Sequence, residues 1–283
     1  MLEFEFSSHG AGMIHAYRWE PEGQPRGVVQ IIHGIAEYVP RYAGFAAFLN
    51  AHGLLVTGED HMGHGKSHGT EPCHFSGGWC AAVDDSMELL RRTQRDYPGV
   101  PYFVLGHSMG SFLTRTLLFR YPDAGLRAAV ICGTGWQPAP VLAAGLALCG
   151  LEKLRLGETG RSKLLANLMF GAYNRKFPDA RTPNDWICSD PEVVAKYTAD
   201  PLCGQDATIG LTREMLRGIR MIQRPANLQR MDKALPVFFI AGRSDPVGNM
   251  GRGVEKAAAA FRAAGVQDRK STRLNSSHES ISR

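Results

Sequence analysis

Tyr102-Phe103-Val104-Leu105-Gly106-His107-Ser108-Met109-Gly110 is the stretch on which the fold turns. Tyr102 to Leu105 is short and wholly apolar, as a buried strand reads. Met109 to Tyr121 reads as a helix that Pro122 ends. Between them, Gly106-x-Ser108-x-Gly110 predicts a tight strand-to-helix turn. A serine hydroxyl is a weak nucleophile at neutral pH and needs a base and an exposed position. Such a turn lifts it above the sheet edge, and glycines two positions to either side let the backbone pass without side-chain clashes. The N-terminus of the following helix favours developing negative charge. Ser108 is therefore the candidate nucleophile.

Working outward, Gly27 to Ile32, Leu54 to Thr57, Arg127 to Cys132 and Pro236 to Ile240 read as further strands. Helical segments lie between them: Arg41 to His52, with Gly53 as C-cap, then Ala81 to Tyr97, and Val254 to Ala264 after the last strand. Strands joined by helices force parallel pairing, because parallel strands need crossover connections. Leu2–Phe6 and Met13–Trp19 read as two opening strands. From Trp136 to about Asp206 the pattern is helix-like pieces broken by Gly, Pro and Asp, with no strand, and a helix from Leu211 then returns to the body. The expected organisation is core 1–135, helical lid 136–206, core 207–268, and a tail 269–283.

An acyl carbonyl under attack becomes an oxyanion, which two backbone N–H donors should meet. Met109, just after the nucleophile, offers one. Ile35, in the loop His33-Gly34-Ile35-Ala36-Glu37-Tyr38 after the third strand, offers the other.

These blocks resemble the monoacylglycerol lipase and lysophospholipase branch of the α/β-hydrolases, the serine aminopeptidase-type hydrolases. That branch carries His-Gly-x-x-Glu after strand three (His33, Gly34, Glu37) and Asp-x-x-Gly-His-Gly-x-Ser after strand four (Asp60, Gly63, His64, Gly65, Ser67). It carries Gly-His-Ser-Met-Gly at the turn, and a strand ending in Gly-x-x-Asp (Gly242, Asp245). Met62 departs from it, where the branch often has arginine. The resemblance covers about residues 1 to 268. It implies an α/β-hydrolase fold, a mostly parallel sheet with helices on both faces and an inserted lid. It also implies carboxylic ester hydrolysis of monoacylglycerol or lysophospholipid through an acyl-serine, with Asp245 as the acid that orients the base. Triad order in this fold is Ser, acid, His, and His278 alone follows Asp245 among the histidines.

The tail qualifies that base. Ser-Thr-Arg-Leu-Asn-Ser-Ser-His-Glu-Ser-Ile-Ser-Arg has no periodicity and few apolar residues. It resembles translated adapter read-through, so a non-native tail and a missing C-terminal strand and helix are expected. Two alternatives stay open: a peptidase or amidase of the same fold, and a catalytically impaired lipid- or partner-binding protein should the base be absent.

Arg269, Lys270, Arg273 and Arg283 carry much of the net charge of +5. The body is near neutral, which speaks against a nucleic-acid partner. Six cysteines without a Cys-x-x-Cys pair, and no signal peptide, fit reduced thiols in a cytoplasm. Serine ester hydrolysis needs no cofactor, and none is expected. His61, His64 and His68 lie in a glycine-rich loop read as structural, so no metal is expected either. In the lid, Val141, Leu142, Leu146, Leu148, Leu151, Leu164, Leu165, Leu168, Met169 and Phe170 would suit an acyl-chain tunnel or pack the lid onto the body. Lys153 and Arg155 flank the first of these stretches, which suits a shallow, transient contact with a lipid surface.

Overall fold

The computed structural model describes residues 1–67, 71–171, 173–266 and 272–274. Its strands are β1 (Leu2–Ser7), β2 (Met13–Trp19), β3 (Gly27–Ile32), β4 (Leu54–Glu59), β5 (Tyr102–His107), β6 (Leu126–Cys132), β7 (Val237–Gly242) and β8 (Thr272–Leu274). They form one sheet in the order β1-β2-β4-β3-β5-β6-β7-β8. β1 and β2, and β2 and β4, pair antiparallel; every other neighbour pair is parallel. β3, at the middle, is buried along its whole length.

The helices are α1 (Ala43–Ala51), α2 (Gly78–Asp96), α3 (Met109–Arg120), α4 (Ala139–Leu156), α5 (Lys163–Met169), α6 (Pro191–Ala199), α7 (Ile209–Ile222), α8 (Pro225–Leu228) and α9 (Arg252–Ala263). Successive strand side chains point to opposite faces, and this period divides the core. Ile31 and Val56 face α1, where they pack with Tyr42 and Ala46. Val28, Ile32, Leu55 and Val104 face the other way, into a larger cluster with Leu90, Leu113, Ile219 and Phe261 from α2, α3, α7 and α9. Gln30 shares that second face as a polar residue, and its amide is satisfied. It donates to Glu59 Oε2 (3.2 Å) and the Ser86 carbonyl (2.9 Å), and accepts from the Tyr102 hydroxyl (2.8 Å).

Two details depart from the sequence reading. The segment read as one helix from Arg41 is a 3-10 turn, Val39–Tyr42, followed by α1. Thr272–Leu274, in a stretch without a strand pattern and where the C-terminal strand was expected to be missing, pairs with β7 in parallel. Ladder hydrogen bonds are made by backbone groups, so the open edge of β7 can order three residues whatever their side-chain pattern. The segment after Leu274, on which the expectation of a missing helix and the candidate base His278 fall, lies outside the described residues.

The lid is α4, α5 and α6, and α7 brings the chain back to the core. α4 packs along α7, with Cys149, Leu165 and Ile209 forming a small cluster between them. α7 lies against the Trp79 indole because residue 218 is glycine: a Cβ there would fall 2.2 Å from Trp79 Cε2. Trp79 is fully buried and donates from Nε1 to Thr116 Oγ1 (3.0 Å), so it has no room to retreat. Gly218→Ala is expected to lower unfolding free energy by about 1–3 kcal/mol, the usual cost of overpacking. Urea denaturation followed by Trp fluorescence would measure it.

Candidate active site

Ser108 sits between β5 and α3 at φ 53°, ψ −119°. A non-glycine residue in such a region costs about 1–3 kcal/mol and persists only where its surroundings over-determine it. They do so here from three sides. The Ser108 N–H donates to the Cys132 carbonyl of β6 (3.0 Å), and its carbonyl accepts from Ser111 N (2.9 Å) and Ser111 Oγ (2.6 Å). A Cβ on Gly110 would fall 1.9 Å from the Ile32 carbonyl of β3, and one on Gly106 would fall 2.2 Å from Thr114 Oγ1. Both glycines of the motif are thus required by contact.

The loop after β3 is held by side chains reaching back to it. His33 Nδ1 donates to the Gly34 carbonyl (2.7 Å), and His33 Nε2 accepts from His61 N (2.9 Å), which fixes the tautomer. Glu37 Oε1 accepts from Gly34 N (2.6 Å) and the Tyr42 hydroxyl (2.8 Å) and lies 3.2 Å from His107 Nδ1; Glu37 Oε2 accepts from Arg41 Nη1 (2.5 Å). Burial pushes the Glu37 carboxyl up, but His107, Arg41 and Tyr42 together hold it down at about 2. This loop presents Ile35 to the same cavity as Ser108. Met109 is the first residue of α3, where an N–H has no intrahelical acceptor.

Asp245 follows β7. Its N–H donates to the Gly242 carbonyl (3.2 Å), and its Oδ1 accepts from Val247 N (2.8 Å). Burial raises its pKa, while the Val247 and Gly248 N–H groups and His107 oppose the rise. Gly133 leaves room beside it: a Cβ there would be 3.7 Å from Asp245 Oδ2 and 3.6 Å from His107 Cδ2. Ser108, Ile35 and Asp245, far apart in sequence, therefore line one cavity of about 670 Å³.

Of the ten apolar lid residues singled out in the sequence, Met169 and Phe170 line that cavity. Leu142 and Leu165 are buried in packing, and Val141, Leu151, Leu164 and Leu168 are exposed. The sequence did not reveal the Glu37–Arg41–Tyr42–His107 network. Glu37 and Arg41 sit four residues apart, a spacing that suggests a pair only once a helix is placed there. His61 and His64 are buried against the His33 and Phe75 rings, and His68 lies outside the described residues. Among the described residues no group of His, Cys, Asp and Glu could hold a metal ion.

Residues 23–279 match the family model described as serine aminopeptidase, S33, a span that takes in Ser108, Asp245 and His278. The chain belongs to this family of hydrolases. It is 32% identical over 249 residues to a monoacylglycerol lipase of Mycolicibacterium smegmatis, covering 86% of this chain and 79% of that one. It is 36% identical over 232 residues to the mouse monoglyceride lipase, covering 80% and 68%. Among solved structures, a thermostable carboxyl esterase from Bacillus coagulans in complex with glycerol superposes with a TM-score of 0.86 at 27% identity, covering 96% of this chain and 89% of that one. This S33 member is thus a serine hydrolase with the α/β-hydrolase fold, acting on esters.

The histidines under the site make a pH prediction. Burial drives His33 well below its ordinary range, and His61 and His64 to about 3 and 4. The unfolded chain takes up these protons near pH 6.5, the folded chain only far below, so each histidine costs stability as pH falls from 6.5. Glu59, raised to about 8 by burial, acts in the opposite sense between pH 8 and 4.5. Comparing the wild type with His64→Gln isolates one histidine. The wild type should lose about 2 kcal/mol more than the variant between pH 6.5 and 4.5, read from urea midpoints at each pH.

Proposed function

We propose that this hydrolase cleaves monoacylglycerols, and lysophospholipids as a related class, through an acyl-enzyme on Ser108. The observation that carries the reading is the strained Ser108, standing in the wall of a cavity that also holds Ile35 and Asp245. Ser108 Oγ attacks the ester carbonyl while a histidine takes its proton. The carbonyl oxygen becomes an oxyanion that accepts from the Ile35 and Met109 N–H groups. As the tetrahedral intermediate collapses, the histidine returns the proton to the departing alcohol, leaving acyl-Ser108. Water, deprotonated by the same histidine, attacks the acyl carbon, and Ser108 leaves with the proton as the fatty acid is released. We assign the base to His278, the one histidine after Asp245, and its orientation to Asp245.

The cavity's composition supports an acyl chain next to a polar head. Met169, Phe170, Trp186 and Ile187 offer apolar wall, while Glu37, Arg41 and Gln205 offer polar groups. The lid's outer surface supports brief contact with a lipid surface. Val141, Leu151, Leu154, Leu156, Leu164 and Leu168 are exposed there, close in sequence to Lys153 and Arg155. Among the described residues no helix is long and apolar enough to cross a membrane.

A fluorophosphonate should label the wild-type chain and leave Ser108→Ala unlabelled, and His278→Ala should reduce hydrolysis of a monoacylglycerol by about 10³-fold or more. Labelling at another residue would overturn the Ser108 assignment. Undiminished turnover in His278→Ala would overturn the base. Release of free amine from an aminoacyl amide, with no ester cleavage, would favour the peptidase alternative.

A further inference from the structure

Arg115 lies in α3, seven residues after Ser108, and its side chain is wholly buried. Nη1 donates to Thr134 Oγ1 (3.2 Å) and to the Gly135 carbonyl (3.0 Å), whereas Nε and Nη2 meet no acceptor among the described residues. The guanidinium carbon stands 5.9 Å from the Trp136 ring centre and 5.8 Å from that of Phe261. Burial pushes the group's pKa down to about 9.

A buried cation with two unpaired donor nitrogens is costly, and an apolar chain of similar length would fill the same space at lower free energy. Folding stability therefore does not account for an arginine at this place. What the side chain holds is the strap from Gly133 to Trp136, which leads from β6 to the lid helix α4. The far side of that strap carries the loop of Asp245. A Cβ on Gly135 would fall 2.7 Å from the Val247 carbonyl, one on Gly248 would fall 3.1 Å from the Thr134 carbonyl, and one on Gly253 would fall 3.0 Å from Trp136 N. Gly135 and Gly248 thus let strap and loop touch backbone to backbone, and Gly253 lets the start of α9 close on the same strap. Val247, in that contact, is also the residue whose N–H binds Asp245 Oδ1. A continuous path runs from the nucleophile helix through the guanidinium and the strap to the carboxylate.

We propose that Arg115 is a positioning residue for ester hydrolysis: through Thr134 and Gly135 it sets the Asp245 loop relative to Ser108 on its own helix. The proposal rests on the roles given above to Ser108 and Asp245. It makes stability and activity move apart, which a purely structural arginine would not do.

The test compares the full chain with Arg115→Met, Arg115→Lys and Thr134→Val, by p-nitrophenyl butyrate kinetics, fluorophosphonate labelling rates and urea midpoints. Arg115→Met should keep or raise the urea midpoint while kcat falls about 10–100-fold and KM stays within about twofold. Arg115→Lys, which keeps a nitrogen donor but loses the guanidinium plane over the two rings, should recover kcat to at least about threefold above Arg115→Met. Unchanged kcat in Arg115→Met would overturn the proposal, as would parallel loss of kcat and stability without rescue by lysine. Should Arg115→Met fail to fold, the decision passes to Thr134→Val, which removes one acceptor. A kcat loss of about threefold or more at an unchanged midpoint supports the proposal, and an unchanged kcat overturns it. Wild-type protein unlabelled at Ser108 would instead strike the proposed function, whereas equal labelling across all variants strikes the role of Arg115 alone.

Discussion

The approach of α3 to β3 is the constraint on which the rest of the site depends. The Gly110 backbone sits so near the Ile32 carbonyl that any β-carbon would collide with it. That contact fixes where α3 begins, and with it the position of Ser108. The left-handed φ of Ser108 is the local cost, and the hydrogen bond from its N–H to Cys132 ties the turn to β6 as well. β3 and β6 flank β5 in the sheet, so the turn is gripped by both neighbours of the strand that produces it. A serine placed in this way stands proud of the sheet at the end where the loops after β3 and β7 also emerge.

A second constraint is polar. Glu37 gathers Gly34 N, Arg41, Tyr42 and His107 around one buried carboxylate. Removing the Glu37 carboxylate would take from Gly34 N, Arg41 and Tyr42 the acceptor they share in the interior. The loop that carries Ile35 is therefore held as a unit. The lid is stitched to the same loop. Tyr197 Oη of α6 and Gly204 N both donate to the Ala36 carbonyl (3.0 Å each), and Tyr38 Oη donates to Asp200 (2.7 Å). Arg41 bridges the two, pairing with Glu37 while its guanidinium carbon stands 4.9 Å from the Tyr197 ring centre. α6 and the loop that carries Ile35 are therefore joined by side-chain and backbone hydrogen bonds.

Legibility in the sequence followed the range of the interactions. The turn at Ser108 could be read because strand, glycines and helix are contiguous, and each leaves a local pattern. The mostly parallel sheet could be read for the same reason, from strands alternating with helices. The lid could be placed but not resolved. Ten apolar residues looked alike along the chain, yet α4 and α5 turn Leu142 and Leu165 inward, Leu151 and Leu168 outward, and Met169 and Phe170 to the cavity. β8 left no pattern, because three residues on an open strand edge are held by backbone bonds that do not depend on side-chain type.

The sequence by itself determined the fold class and the alternation of strands and helices in the core, and it offered Ser108, Ile35 and Met109 as candidates because each sits in a short motif whose local geometry is encoded by its neighbours; Asp245 came from the family resemblance. Only the tertiary structure decided that Ser108, Ile35 and Asp245 line one cavity, that Glu37 joins His107 to Arg41, and that Arg115 spans from α3 to the strap beside Asp245. Those relations join residues tens to hundreds of positions apart. They arise when crossover helices pack strands side by side and glycine backbones close to contact, and no local pattern in the chain carries them.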